Sequence, residues 1–427
     1  MSVLSIQVGQ CGNQIGSAFY SSLYEEACTK SPALSNSILN TFFTVEKQKV
    51  VANAVLIDME PKVVNACLSQ KTAWQYDPQS VFCQQEGSGN NWAFGYNIHG
   101  VKWKEAIMEK IRKKVEKTDI LKCILLYLSL AGGTGSGVGT SIAENVRDEF
   151  DVNLLNIAVW PYSFGEVILQ HYNTALTVSH LISAVDAMLI IQNDWLHSTA
   201  VHCLGEPKPD FKHLNGLCAS VLASAFTPVI GNQSYSCSQF GSNMLDEVFR
   251  SVCCYSGYPM CSLLTTPISP PNSADFSVDT WPGISKRGIQ MAISNTQEPN
   301  INWNTALNSF NRNRILSVAG VSRGPGSETN DLRPLRDFLC PGFSQDIPHL
   351  TTQISGERYE KRTSLIMNSQ ASLVNLDSMI EKTYKMSRSG AYLHHYNKFG
   401  IENEHIFEYA FPCLEQLVYN YSSLSNS

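Results

Sequence analysis

With 427 residues, the chain is long enough for two or three domains with sizeable cores. Its net charge of −6 at pH 7 argues against the basic surface that binding to nucleic acids or anionic membranes requires. The 13 cysteines form no Cys-x-x-Cys pair, no apolar window reaches about 18 residues, and the first residues lack a leader-like pattern. We therefore expect a cytoplasmic protein with reduced thiols and no structural zinc.

The first part of the chain alternates apolar strands with helices, which predicts a parallel sheet covered by helices. Strands are predicted at residues 3–8, 54–60, 123–130, 155–164 and 187–194. In such a sheet, ligands bind to the loops that follow the carboxyl ends of the strands.

The first of these loops, GQCGNQIG at residues 9–16, opens a predicted helix that reaches about Cys28. Gln10 and Gln14 add side-chain amides to the free N–H groups of a helix start. This combination suits an anion.

The second predicted strand ends in two acids, Asp58 and Glu60. Both carboxylates could turn towards one Mg²⁺, directly or through water, or they could be a helix cap and a surface charge. Farther along, GSGNN at residues 87–91 brings glycines and amides to a place that a terminal phosphate could reach.

The stretch AGGTGSGVGT, residues 131–140, lies between an apolar strand and a predicted helix at 141–150. Its glycines let backbone N–H groups approach an anion closely, although a flexible turn is the alternative. Val138 rather than lysine follows Gly137, and no Gly-x-Gly-x-x-Gly pattern is present, so two common phosphate loops are excluded. Without a lysine, the phosphate charge would have to be stabilised by backbone amides, the hydroxyls of Thr134 and Ser136, the helix dipole and a metal ion.

Recognition of a base needs paired donors and acceptors. Asn193, after the last predicted strand, and Asn215 each offer both groups, as guanine does on one edge. The ring of Phe211 could stack on the base. The alternative is that the two asparagines are ordinary turn or helix-surface residues.

Taken together, GQCGNQIG, AGGTGSG and LHHYNKFG resemble the tubulin family, and the resemblance runs along the whole chain. Ala131 replaces the first of the three glycines usual in the tubulin loop. Within the family, VLIDMEPKVVN, EGSGNNWAFGYNIHG and WPYSFGEVILQHYN look most like the delta-tubulins. The resemblance implies an α/β fold with three regions: a Rossmann-like, parallel-sheet GTP-binding domain at 1–210, a core helix (211–226) with a mixed α+β intermediate domain at 211–365, and C-terminal helices at 366–427.

The resemblance also implies roles for individual residues. It places Gln10 and Cys11 against the nucleotide, Glu60 near Mg²⁺ and Asn90 at the terminal phosphate. Asn193 and Asn215 would bind guanine, with Phe211 in place of the usual stacking tyrosine. The ribose would lie near Glu166 and Gln170, where an amide replaces a common glutamate. The remaining phosphates would be held by Ser129, Ala131, Gly132, Gly133, Thr134, Gly135, Ser136 and Gly137.

Catalysis in this family requires an acid from the next subunit, for which Asp246 or Glu247 is the candidate, unless both merely begin a helix. The resemblance implies GTP or GDP and Mg²⁺ as cofactors, and other tubulin subunits and centriolar proteins as partners. It also implies work on the triplet microtubules of centrioles and basal bodies and in cilium formation. The alternatives are a scaffold that holds nucleotide without turnover and a nucleotide-dependent dehydrogenase, against which the failed dinucleotide pattern counts.

Overall fold

The computed structural model describes residues 2–29, 31–46, 48–165, 167–229, 244–270, 279–298, 300–301, 303, 312–343, 346–354, 360–400 and 407–424. The chain forms two compact units. The first unit consists of Met1–Ser17, Asn40–Asn193 and Leu373–Asn420. The second consists of Ala18–Leu39, Asp194–Ser372 and Tyr421–Ser427.

The described residues contain 13 strands and 13 α-helices. The strands are β1 (Ser2–Val8), β2 (Phe43–Glu46), β3 (Lys49–Ala52), β4 (Ala54–Asp58), β5 (Trp74–Gln75), β6 (Val81–Cys83), β7 (Leu121–Ser129), β8 (Asn153–Trp160), β9 (Ala187–Gln192), β10 (Met260–Thr266), β11 (Ile315–Arg323), β12 (His349–Thr352) and β13 (Arg362–Ser369). The helices are α1 (Gly9–Thr29), α2 (Pro32–Phe42), α3 (Pro61–Leu68), α4 (Val101–Glu116), α5 (Gly139–Glu149), α6 (Gln170–Ala184), α7 (Asn193–His202), α8 (Phe211–Phe226), α9 (Met244–Val252), α10 (Trp281–Ser294), α11 (Leu373–Arg388), α12 (His394–Asn397) and α13 (Ala410–Ser423). Among the residues described, no helix is both long and apolar enough to cross a bilayer.

The first unit is built on six parallel strands in the order β9-β8-β7-β1-β4-β6. The central strand β7 is buried from residue 123 to residue 128, as expected for a parallel strand covered on both faces. From β1 the chain builds the sheet in one direction through β4 and β6. It then returns to the other side of β1 and continues through β7, β8 and β9, which creates a switch point between β1 and β7.

The second unit contains the strand order β12-β11-β13-β10, in which β13 runs antiparallel to both of its neighbours. Leu264, Val318 and Leu365 of these strands pack with Met291 of α10 in a buried apolar cluster. Parallel and antiparallel strands with helices make this an α+β arrangement, and the predicted α/β fold class of the chain is confirmed.

All five predicted strands exist, but four of them end earlier than predicted, β7 by one residue, at Ser129. β8 ends at Trp160, because Pro161 has no N–H to donate to a neighbouring strand. β4 ends at Asp58, whose carboxylate accepts the backbone N–H of Met59 at 2.8 Å and turns the chain. β9 ends at Gln192, and Asn193 begins α7.

The predicted long helix is α8, with unchanged bounds. Asp210 caps its start by accepting the N–H of His213 at 3.0 Å, and the His213 ring accepts the N–H of Asp210 in return. At its end, the buried guanidinium of Arg323 donates to the carbonyl oxygens of Ser224 at 2.6 Å and of Thr227. The helix is therefore stabilised at both termini.

Candidate nucleotide-binding site

The predicted phosphate loops lie at the switch point of the parallel sheet. The turn at Gly9 and Gln10 follows β1, and residues 131–138 follow the neighbouring strand β7. Because all six strands are parallel, the ends of β4, β6, β8 and β9 lie along the same edge. In open α/β sheets, this edge at the switch point is where ligands bind.

The loops after β1 and β7 are in backbone contact. Gly9 has a left-handed conformation with φ +73°, and a β-carbon added to it would lie 2.9 Å from the backbone nitrogen of Gly135. A β-carbon on Gly135 would in turn lie 3.1 Å from the carbonyl oxygen of Ser129. Side chains are therefore excluded where the two loops meet.

The other side of the β7 loop packs on the segment that contains GSGNN. A β-carbon on Gly133 would lie 2.6 Å from the carbonyl oxygen of Ser88 and 2.7 Å from the backbone nitrogen of Asn91. A β-carbon added to Gly132 or Gly89, by contrast, would meet no atom of the described residues within 4 Å, apart from the adjacent residues of the chain. The loop is thus a packed element on its inner side and is open at Gly132, which suits the approach of an anion to backbone amides.

Asn173 of α6, which the sequence did not single out, joins the β7 loop to the GSGNN segment. Its side-chain nitrogen donates to the carbonyl oxygens of Asn90 at 2.8 Å and Ala131 at 2.7 Å. Its side-chain oxygen accepts the N–H of Trp92 at 2.9 Å and the hydroxyl of Tyr396 at 2.7 Å. Asn173 is fully buried and uses all four of its hydrogen-bonding positions. In the sequence Asn173 is one of several polar residues on α6, with Gln170 and Thr177 one turn away, so nothing marked it out.

A turn from the C-terminal part of the first unit also contacts the GSGNN segment. Asn91 donates to the carbonyl oxygen of His395 at 3.0 Å, and Asn97 donates to that of Phe399 at 2.8 Å. The ring of Phe399 stacks on Phe94 with centroids 4.5 Å apart. The LHHYNKFG motif therefore supports the predicted phosphate side of the site.

Three hydroxyls predicted to face phosphate have protein partners. Ser136 Oγ is fully buried and donates to the carbonyl oxygen of Gly132. Thr134 Oγ1 lies 3.0 Å from Ser88 Oγ and remains partly exposed. Ser129 Oγ accepts the N–H of Ala131 at 3.3 Å. Ser136 could therefore contribute to an anion site mainly through its backbone.

The two predicted magnesium ligands differ in environment. Asp58 is buried, which raises the pKa of its carboxyl to about 6 although two backbone N–H groups donate to it. Glu60 is exposed at the start of α3, and its carboxylate lies against Gly87. Among the described residues no group of three or more metal-ligating side chains occurs. Since Mg²⁺ usually binds through one or two carboxylates, phosphates and water, Glu60 fits this kind of site.

Gln10 and Asn90 are exposed at the carboxyl edge, and Gln14 is partly buried one turn farther along α1. Burial of the Cys11 thiol raises its pKa to about 12, so the thiol stays neutral at pH 7 and would not repel a phosphate. Asn90 has φ +51°, a conformation that asparagine tolerates better than most residues.

Of the residues predicted for ribose and base, Gln170 at the start of α6 is buried and donates to the carbonyl oxygen of Tyr162 at 3.0 Å, in the segment before the helix. Asn193 follows β9 directly and is the first residue of α7. Phe211, which is 47% exposed, and Asn215 lie in the first turns of α8 in the second unit. Their contacts with a nucleotide stay predictions.

Three further predicted residues lie wholly or partly outside the described part of the chain. Glu166 lies outside the described residues. Asp246 and Glu247 lie within α9, but their side chains are outside the described part of the chain. Their catalytic role therefore also stays a prediction.

Comparison with known proteins identifies the family. The sequence model of the Tubulin/FtsZ family, GTPase domain, matches residues 2–200, which include both glycine loops. The chain is 38% identical to the tubulin delta chain of Canis lupus familiaris and 35% identical to that of Homo sapiens, in each case over 99% of this chain and 100% of the relative. The tubulin epsilon chain of Mus musculus is 37% identical over 45% of this chain and 44% of its own length. The match to a GTPase domain contradicts the dehydrogenase alternative. The chain belongs to the tubulin family and is delta-tubulin-like over its whole length.

Proposed function

We propose that this chain binds GTP and GDP with Mg²⁺ at the carboxyl edge of the first unit's sheet, as a cytoskeletal subunit of centrioles and basal bodies. Membership in a GTPase family implies guanine-nucleotide binding and contact with other tubulin subunits. The observation that carries the proposal is the backbone contact between the loops after β1 and β7 at the switch point.

In this proposal the amides of the 131–137 loop and of the α1 start hold the phosphates, with Gln10 and Asn90 at the exposed rim. Glu60 holds Mg²⁺, which neutralises phosphate charge where the loop offers no lysine. Asn193 and Asn215 bind the guanine edge, and Phe211 stacks on the base.

Calorimetry with the full, nucleotide-stripped chain tests this assignment. A buried donor or acceptor left unpaired costs about 1–3 kcal/mol, so GTP and GDP should bind at least about tenfold more tightly than ATP. N193A and N215A should weaken GTP binding and leave ATP binding unchanged. Equal affinities for GTP and ATP in the wild-type chain would refute the base assignment.

We further propose that the isolated chain is nearly inactive as a GTPase. The phosphate loop contains no lysine or arginine, and the acid that would orient water, Asp246 or Glu247, would act on a neighbouring subunit's nucleotide. Turnover should therefore rise only when another tubulin subunit is added. Robust turnover by a dilute monomer would refute the shared site, and no turnover even with a partner would favour the nucleotide-holding scaffold.

The delta-tubulin similarity supports a role with centriolar proteins in triplet microtubules and cilium formation. Depletion of the protein should reduce triplets to simpler microtubules in electron micrographs of centrioles, and the wild-type chain should restore them. A variant with both Asp246 and Glu247 changed to alanine should bind GTP normally and fail to restore them.

A further inference from the structure

A hydrogen-bonded chain of three side chains lies beside the 131–137 loop. His99 Nδ1 lies 3.0 Å from Ser88 Oγ, which lies 3.0 Å from Thr134 Oγ1. His99 and Ser88 are each 3% exposed, whereas Thr134 is partly exposed. The chain therefore leads from a buried imidazole to a hydroxyl at the predicted phosphate site.

The geometry of these three groups is fixed by their surroundings. The carbonyl oxygen of Ser88 packs against Gly133, and the rings of Phe94 and His99 have centroids 4.4 Å apart. Burial lowers the pKa of His99, so its ring is neutral at pH 7 and carries one N–H, on Nδ1 or on Nε2. What can vary is the placement of the hydrogens.

The Ser88 hydroxyl has a single hydrogen, so the chain can run in two directions. If Nδ1–H donates to Ser88, the Ser88 hydroxyl donates to Thr134, and the Thr134 hydrogen is free to point elsewhere. If Ser88 donates to a bare Nδ1, Thr134 donates to Ser88 and presents only lone pairs. A phosphate oxygen can only accept, so the first direction alone is compatible with a bond from Thr134 to phosphate.

We propose that His99, acting through Ser88, is a positioning residue that sets the Thr134 hydroxyl as a donor to the phosphates of the bound nucleotide. The inference rests on the proposed nucleotide site. Bound nucleotide selects the Nδ1–H form of His99, and a residue at position 99 that only accepts hydrogen bonds opposes nucleotide binding.

Nuclear magnetic resonance of the full chain labelled with ¹⁵N-histidine measures the hydrogen placement directly. The chain has 10 histidines, and the H99N spectrum identifies the His99 signals by their loss. With GDP bound, the ¹⁵N shifts should report the Nδ1–H form in the wild-type chain, and S88A should lose this preference. The Nε2–H form in the GDP complex would overturn the proposal.

Calorimetric GDP affinities of isosteric variants give an independent test. Asparagine at position 99 can still donate to Ser88, so H99N should bind GDP within about threefold of wild type. Aspartate has nearly the same shape but only accepts, so H99D should lose about tenfold or more. S88A removes the group that holds Thr134 as a donor, so it should weaken GDP binding, but by less than H99D does, because Thr134 can still turn its hydroxyl towards a phosphate.

The double variant H99D/S88A separates hydrogen-bond direction from charge. In H99D, the Thr134 hydroxyl has to donate to Ser88. Without the Ser88 hydroxyl, Thr134 can donate to a phosphate instead, so the double variant should bind GDP more tightly than H99D. No improvement would overturn the proposal, because a purely electrostatic or folding defect of aspartate would persist.

If H99D fails to fold, the ¹⁵N-histidine spectra of the wild-type chain with GDP still show whether His99 is in the Nδ1–H form. A wild-type chain that binds no guanine nucleotide refutes the proposed function, whereas a wild-type chain that binds GDP with His99 in the Nε2–H form refutes only the relay.

Discussion

Asn173 allows the coupling between the β7 loop and the GSGNN segment to be measured. N173A would remove four hydrogen bonds from a fully buried position. The N–H of Trp92 and the hydroxyl of Tyr396 would lose their acceptor, at about 1–3 kcal/mol each, and the carbonyl groups of Asn90 and Ala131 would lose a donor at a smaller cost. We therefore expect the free energy of unfolding to fall by about 3–5 kcal/mol.

Y396F is the matched control, since it removes one of the four bonds and leaves Asn173 Oδ1 paired with Trp92. It should cost about 1 kcal/mol in the wild-type background. In the N173A background it should be neutral or stabilising, because it removes a buried hydroxyl that no longer has its acceptor.

Urea unfolding of the full chain, followed by circular dichroism, measures these differences. Hydrogen exchange should localise the effect of N173A to the backbone amides of residues 88–92 and 131–137. The reasoning is refuted if N173A costs no more than Y396F, or if Y396F costs the same in both backgrounds.

Three other changes test other parts of the structure. G133A should weaken GDP binding at least about tenfold by calorimetry, because its β-carbon would meet the Ser88 carbonyl, whereas G132A, whose β-carbon would meet no atom of the described residues within 4 Å, should keep the wild-type stability in urea. R323M should lower the free energy of unfolding in urea by about 3 kcal/mol, because it leaves carbonyl oxygens at the end of α8 unpaired. R323K should restore only part of this stability, because an ammonium group lacks the planar, multiply donating geometry of a guanidinium. Burial lowers the pKa of His349 to about 4, so the folded state binds its proton more weakly than the unfolded state. Stability from this group is present above pH 6.5 and decreases by about 2 kcal/mol on going from pH 7.5 to 5. H349Q should remove that decrease, and an unchanged pH profile would contradict the assignment.

The sheet and its loops could be predicted because their signals are local. Continuous apolar runs such as residues 123–130 define parallel strands, and glycines after a strand indicate a close approach of backbone. The glycine patterns predicted two loops after strand ends, and in the structure Gly9 of one loop lies against Gly135 of the other. Strand ends were less predictable, since they depend on single groups such as Pro161 and the Asp58 carboxylate.

The supporting contacts of the site could not be predicted in the same way. Asn173 and Tyr396 are 223 residues apart, and no periodic pattern in a single sequence pairs two distant buried polar groups. The chain from His99 to Thr134 likewise depends on how two loops pack. The role of Ser136 also depends on packing, since its hydroxyl bonds to Gly132 within the loop. The three predicted regions, 1–210, 211–365 and 366–427, stay a prediction.

The contacts between the GSGNN segment and the C-terminal turn have a consequence for the synthesis of the protein. Asn91 and His395 are 304 residues apart, and Asn97 and Phe399 are 302 residues apart. At about 5–20 residues per second, a ribosome needs about 15–60 s to make the intervening chain. During that time the segment exists without the carbonyl groups that its asparagines bind and without the ring that covers Phe94. The segment therefore cannot complete its native contacts until nearly the whole sequence has been translated, and truncation before residue 391 would leave the site without this support.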